Sequence, residues 1–303
     1  MRLTLGLLLL AGCVGDSPAV TPTTDAGASD ATTSPDSGRT DSATEAGVDA
    51  ATWSPSNLGS ELVLWLDGDK GVSVGDAGTV ASWTDQSKSP VVFTGGAALT
   101  DLSDNGHGVV NFNQTGVALY TDSVPKLELG ATDDLVIAGV VETIQGVGGL
   151  PGAFLWAKTT DKGPINFASP FHGLVFGVDI KTATRNGADL LVYSGDAGKP
   201  TLQSTQTPFA DKKYHLIVGR RIGGTTFAIR SEGLEETMTL PGTVDVSEPG
   251  SSIGIGNVTW GTVTFNGTFA IKIGEILVVR RAGNFSAQDI GHIETYLKQK
   301  FNL

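Results

Sequence analysis

The sequence predicts an all-β protein, an antiparallel two-sheet β-sandwich closed by a short C-terminal α-helix. Three observations carry this reading. Short runs rich in Val, Ile, Leu and aromatic residues recur from residue 61 onward, separated by Gly, Asp, Asn, Ser and Pro, the spacing of sandwich and barrel strands. A single strong helical repeat appears, close to the last residue. The 251 residues from Trp53 to Leu303 are enough to bury a core without disulfides, and the one cysteine, Cys13, lies outside them.

The strand runs are, in order, "ELVLWL" (61–66), "GVVNFN" (108–113), "DLVIAGVVET" (134–143), "AFLWAK" (153–158), "GLVFGVD" (173–179), "DLLVYS" (189–194), "YHLIVGRR" (214–221), "TTFAIRS" (225–231) and "TFAIKIGEILVVRR" (268–281). In the last, both alternating sets of residues become apolar, as in a strand covered on both faces. The cover is expected to be the helix that follows. Ser286 stands as its N-cap with Asp289 three residues on, and Ile290, Ile293, Leu297 and Phe301 recur at helical spacing.

Ahead of the sandwich lie two segments of different composition. Residues 1–12 combine Arg2, an apolar run and the small residues Ala11 and Gly12, the layout of a secretory signal. The run is too short for a membrane span, which needs about 20 apolar residues. From Val14 to Thr52 the chain is almost entirely Ala, Thr, Ser, Asp, Gly and Pro, with seven acids against the single Arg39. Such a segment cannot offset the entropy of ordering and reads as a disordered tether. A flexible chain of its length reaches roughly 35 Å.

Leu10-Ala11-Gly12-Cys13 resembles the lipobox of bacterial lipoproteins. The resemblance implies cleavage before Cys13, lipidation of its thiol, a membrane partner through that anchor, and a place at the bacterial cell envelope. The domains expected are thus a signal at 1–12, a lipidated tether at 13–52 and a sandwich at 53–303.

A second resemblance covers residues 61 to 303 at its outer limits. "LVLWLDGDKGV…VASWTDQS" and "FNGTFAIKIGEILVVRRAGNFSAQDIGHIETYLKQKF" look like the opening and closing of laminin-G-like, concanavalin A-type jelly-roll domains of bacterial surface proteins. Tyr214-His215 and "SSIGIG" (251–256) resemble two further family strands. The resemblance implies two curved sheets packed face to face, with a role in binding carbohydrate or protein. Family membership supplies no particular ligand.

Charge excludes some partners. The net charge of −12 and the absence of any basic cluster make nucleic acid and anionic lipid surfaces poor partners.

Enzyme signatures are weak. Gly250-Ser251-Ser252-Ile253-Gly254 matches Gly-x-Ser-x-Gly but lacks the helix that a nucleophile elbow needs. A divergent glycoside hydrolase is the main catalytic alternative, since laminarinase-type enzymes share the fold, but they carry Glu-x-Asp-x-(x)-Glu on one strand and this chain does not. Glu232, Glu235 and Glu236 read as a solvated turn. Glu275 reads by alternation as a partly buried carboxylate with a structural hydrogen bond, sharing a face with Ile271, Ile273, Leu277 and Val279. No catalytic residue is assigned, and a structural spacer is the remaining alternative.

No cofactor is expected, with one reservation for calcium. Asp67, Asp69, Asp133 and Asp134 place oxygen ligands on loops, the chemistry calcium prefers, without a calcium-loop spacing. Asp76, Asp101, Asp104 and Asn105 add to that loop chemistry. The four histidines show no paired zinc spacing. The glycine-rich run 146–152 lacks the strand-to-helix context of a phosphate loop. Sugar binding would rest on aromatic faces with Asp and Asn beside them. Trp65 and Trp83 are expected in the core, leaving Trp260, with Asn257 and Asn266, as the ligand-binding candidates.

Overall fold

A computed structural model describes residues 53–113, 117–122, 124–145, 153–159, 172–182, 185–194, 201–203, 211–247, 250, 252–256 and 270–303. Within them the chain forms β1 (Leu62–Asp67), β2 (Val72–Val74), β3 (Val80–Thr84), β4 (Val92–Thr94), β5 (Leu99–Leu102), β6 (Gly108–Phe112), β7 (Ala118–Thr121), β8 (Asp134–Gln145), β9 (Ala153–Thr159), β10 (His172–Thr182), β11 (Arg185–Ser194), β12 (Thr201–Gln203), β13 (Tyr214–Ile222), β14 (Thr226–Ser231), β15 (Leu234–Thr239), β16 (Ser252–Gly256), β17 (Ala270–Arg281) and α1 (Ala287–Phe301). Cys13, Asn257, Trp260, Asn266 and the run 146–152 lie outside the described residues.

Among the described residues every strand pair is antiparallel. One sheet runs β15-β14-β13-β8-β17-β6-β5, with β1 also paired to β17; the other runs β12-β11-β10-β9-β16-β7-β4-β3-β2. The expected two-sheet sandwich with a C-terminal helix is the observed fold. Between the sheets lies the larger core, including Leu64, Leu66, Trp83, Phe93, Phe112, Phe176, Ile217 and Phe227. A second core lies between the first sheet and α1, where Val136, Val140, Leu277 and Val279 meet Ile290, Ile293, Leu297 and Phe301. Burying each such side chain contributes about 1.5–3 kcal/mol, so this layer holds the helix. Its start is set by the capping box expected from the sequence, with Ser286 Oγ accepting from the Asp289 amide and the Asp289 carboxylate accepting from the Ser286 amide.

The alternation read through β17 is corrected by a bulge. Ile273 pairs with Val141 and Glu275 with Val140, leaving Gly274 as an extra residue. One extra residue exchanges the two faces. Ile271, Ile273, Ile276 and Val278 therefore face the inter-sheet core, while Leu277 and Val279 belong to the helix layer with Glu275 on their side. The bulge is what turns the Glu275 carboxylate toward α1.

Short strands β2, β4, β5, β7, β12 and β15 were not legible as hydrophobic runs. The reading of residues 232–236 as a turn holds only for Glu232 and Gly233, whose positive φ values of 50° and 80° make the β14–β15 hairpin. Glu235 and Glu236 lie on β15 at the sheet edge, and Glu235 pairs with Arg220 at 3.0 Å.

Candidate functional site

The described residues gather their chemistry where β1 and β6 meet end to end along β17. β17 pairs with β6 through Ile271–Ile273 and with β1 through Glu275–Val279. At the junction Gly68 and Gly108 press backbone to backbone, and a Cβ on either would overlap the other's carbonyl. The Gly68 amide donates to the Gly274 carbonyl at 2.9 Å.

Lys300, from the last turn of α1, reaches into this junction. Its Nζ donates to Asp67 Oδ1 at 2.6 Å and Glu275 Oε2 at 2.8 Å, and lies 3.1 Å from Asp69 Oδ2. Asp67 and Glu275 are cross-strand partners, with 1% and 0% of their surface exposed. Trp65 Nε1 donates to Glu275 Oε1 at 2.6 Å, and Trp83 Nε1 to the Asp67 carbonyl at 3.1 Å. Asp69 accepts from the Gly108 amide at 2.6 Å and contacts His107 Nδ1 at 2.7 Å.

Burial raises the Glu275 pKa to about 6 even though Lys300 pulls it down. Burial also works against the Lys300 charge, but attraction to Glu275 and the bond to Asp67 outweigh it and raise the pKa of the ammonium. Asp69 is lowered overall: its partial burial is overcome by the Gly108 amide, His107 and Lys300. Asp67 and Glu275 form a close carboxylate pair, but both are buried and share Lys300 between them, so no glycosidic bond can lie there.

The Ser-Trp-x-Asp-x-Ser segment is also structural. Asp85 Oδ1 accepts from the amides of Trp65 and Ser87 at 2.8 Å each. Its Oδ2 accepts from Ser87 Oγ at 2.7 Å and from Lys126 Nζ.

Beside the ionic junction an open pocket of about 400 Å³ is lined by Asp104, Asn105, Lys213, Tyr214, Phe301, Asn302 and Leu303. Small-ligand sites run from about 300 to 1,000 Å³. Phe301 is its buried floor, flanked by the His107 ring at 5.6 Å and the Tyr214 ring at 6.1 Å between centroids, the latter inclined by 30°. Tyr214 is half-buried, whereas Asp104, Lys213 and Asn302 are exposed. Those three side chains make no hydrogen bond or ion pair among the described residues. Asn105 is fixed instead, accepting from Ser103 Oγ at 2.5 Å and donating to the Lys300 carbonyl at 2.7 Å. Burial and the charges of Glu142, Asp101 and Asp104 raise the Tyr214 pKa, and its hydroxyl is buried.

Four of the loop aspartates considered for calcium, Asp67, Asp69, Asp133 and Asp134, have protein partners. Asp67 and Asp69 face Lys300. Asp133 Oδ2 accepts from the Gly130 amide at 2.9 Å, and Asp134 Oδ1 from the Gly223 amide at 2.6 Å. Among the described residues no group of three or more His, Cys, Asp or Glu is arranged to hold a metal. His215 is buried between Asp211 and Glu232, at 2.8 and 3.0 Å on its two ring nitrogens. Trp83 is in the core as expected, and Trp65 packs against the helix layer. The Tyr214 pocket was missed because its residues come from three distant segments; only the Tyr-His step and the Tyr-Leu-x-x-Lys-Phe ending marked two of its walls.

No sequence-family model and no curated protein matches the chain. Solved structures do match. The binding domain of Paraclostridial Mosquitocidal Protein 1 shares 10% identity over 79% of this chain and 52% of its own, with a TM-score of 0.55. A structure of botulinum neurotoxin type C, whose route into cells depends on two ganglioside molecules, shares 12% identity over 80% and 53%, with a TM-score of 0.56. The binding domain of botulinum neurotoxin DC in complex with rat synaptotagmin II shares 11% over 78% and 51%, with a TM-score of 0.54. The chain spans about half the length of these structures. The likeness is one of fold.

Proposed function

We propose that this protein is a noncatalytic binding protein whose sandwich recognises carbohydrate at the Tyr214–Phe301 pocket. The observation that carries the reading is the pocket itself, an inclined aromatic pair rimmed by the unengaged Asp104, Lys213 and Asn302. The accessible part of the half-buried Tyr214 ring packs against the apolar face of a sugar ring, and free carboxylate, amide and ammonium groups meet its hydroxyls. Solved structures of the same fold are binding domains, one of them of a toxin type that uses gangliosides, which supports the reading at the level of architecture. In the same proposal Cys13 carries the lipid anchor and 13–52 the tether, which together hold the sandwich at the bacterial cell envelope. Trp260, Asn257 and Asn266 form the alternative contact surface, and an envelope protein is the alternative ligand.

The test is a glycan array, with neutral and sialylated oligosaccharides, probed with the full chain. Retention on a glycan class that falls at least about tenfold in Asp104→Ala/Lys213→Ala, with an unchanged circular dichroism spectrum, supports the pocket. Retention lost in Trp260→Ala and kept in the double variant moves the site to Trp260. No retention on any glycan removes the carbohydrate reading. Labelled palmitate incorporated by the wild type and unchanged in Cys13→Ser removes the anchor.

A further inference from the structure

We propose that Lys300 and Asp67 condense to an intramolecular isopeptide bond, with Glu275 as the proton carrier. Three features of the junction point to this chemistry. The amine and the acyl acceptor are already in contact, Nζ at 2.6 Å from Asp67 Oδ1. A second carboxylate, Glu275 Oε2, lies 2.8 Å from the same nitrogen and belongs to the cross-strand partner of Asp67. The whole group is shut away from water, with the Lys300 side chain 10% exposed and the two carboxylates at most 1%. Asp67 Oδ2, the oxygen to be expelled, is buried, has no hydrogen-bond partner and lies 3.7 Å from the Lys70 ammonium, a cation placed to stabilise the charge that gathers there as the C–O bond breaks. Asp69, the third carboxylate near Nζ, is 31% exposed and engaged by Gly108 and His107, which leaves Asp67 as the acceptor.

The step is a dehydration with no change in oxidation state. Lys300 rests as an ammonium held charged by Glu275 and Asp67, and one proton passes along the 2.8 Å contact from Nζ to Glu275 Oε2; burial favours the neutral acid and the neutral amine so formed, while the attraction that holds the ion pair is the barrier to the step. The neutral amine attacks Asp67 Cγ, forming the N–C bond. Glu275 delivers that proton, and then a second one from the same nitrogen, to the departing Asp67 oxygen. The C–O bond breaks, water leaves, the amide keeps one N–H, and Glu275 ends as the carboxylate it was. The product links β1 to α1 across 233 residues of sequence. The only cysteine lies outside the sandwich, so no disulfide could make this closure.

Denaturing tryptic digestion of the folded full chain, read by mass spectrometry, tests the proposal. Trypsin cuts after Lys70 and Lys298 but not after an acylated Lys300. The expected product is a branched peptide joining the segment that ends at Lys70 to residues 299–303, one water lighter than its two parts. Recovery of the unlinked Asp67 peptide together with cleavage after Lys300, as the sole products of folded wild type, overturns the bond. Lys300→Arg keeps a cation at the site and is expected to show no branched species. Glu275→Gln is expected to slow formation by roughly a hundredfold or more. Wild-type rate in that variant, with its fold checked by circular dichroism, overturns the role of Glu275.

Discussion

The Phe301 ring lies directly on the backbone of Gly274, and a Cβ at that position would overlap its edge. The bulge residue of β17 is therefore the seat of the helix's last aromatic side chain. The same turn of α1 supplies Lys300 to Asp67 and Glu275, so one contact positions both the ionic junction and the floor of the Tyr214 pocket.

Gly274→Ala forces Phe301 to move against a packed layer. Overpacking of this kind costs about 1–3 kcal/mol, and a loss near 2 kcal/mol is expected in urea denaturation. An unchanged midpoint would show that the contact is not tight.

Asp85→Ala removes the acceptor for two backbone amides, Ser87 Oγ and Lys126 Nζ. Breaking a buried ion pair from one side costs about 3–5 kcal/mol. The expected loss exceeds that of Asp85→Asn, which keeps an acceptor oxygen; a reversed order in thermal unfolding would contradict this role.

Arg221 is fully buried and donates to the carbonyls of Gly130, Ala131, Asp133 and Val244. Arg221→Met keeps much of the volume but leaves these acceptors unmet, at about 1–3 kcal/mol for each one that water cannot reach. A stability loss of about 3 kcal/mol or more is expected, with faster amide exchange around residues 130–134. A change below about 1 kcal/mol would mean the loop finds other donors.

Asp289 gives the acid limb of stability. Its carboxyl is partly buried, but Arg281 and the Ser286 hydrogen bonds outweigh that and lower its pKa below 3.8. A carboxylate lowered on folding contributes fully above the unfolded value and loses that contribution as pH falls through the folded one. Below about pH 4 the wild type should therefore lose stability more steeply than Asp289→Asn, and parallel pH–stability curves would count against it. The link to Arg281, which also holds Glu61 through bonds of 2.8 and 2.6 Å, makes helix unwinding the expected first event.

Long strands and the helix were legible because burial imposes a period. β8, β13, β14 and β17 carry runs of six or more residues whose apolar pattern is visible in one dimension, and α1 carries its own cap. Strands β2, β4 and β12 have three residues each, too few for a period, and are strands because neighbours pair with them. Glu275 shows the boundary most clearly. Its burial and structural hydrogen bonding followed from its place among apolar residues, but its face did not, because a bulge is a property of the paired register.

Local composition and periodicity by themselves determined the sandwich class and the capped helix, since each depends on neighbours within a few turns of chain. Only the tertiary structure decided that Asp67, Glu275 and Lys300 share one buried point, that Asp85 holds β1, and that Tyr214 and Phe301 form the walls of a pocket with Asp104. Those groups are separated by tens to hundreds of residues, and what joins them is the pairing of β1 and β6 along a single bulged strand.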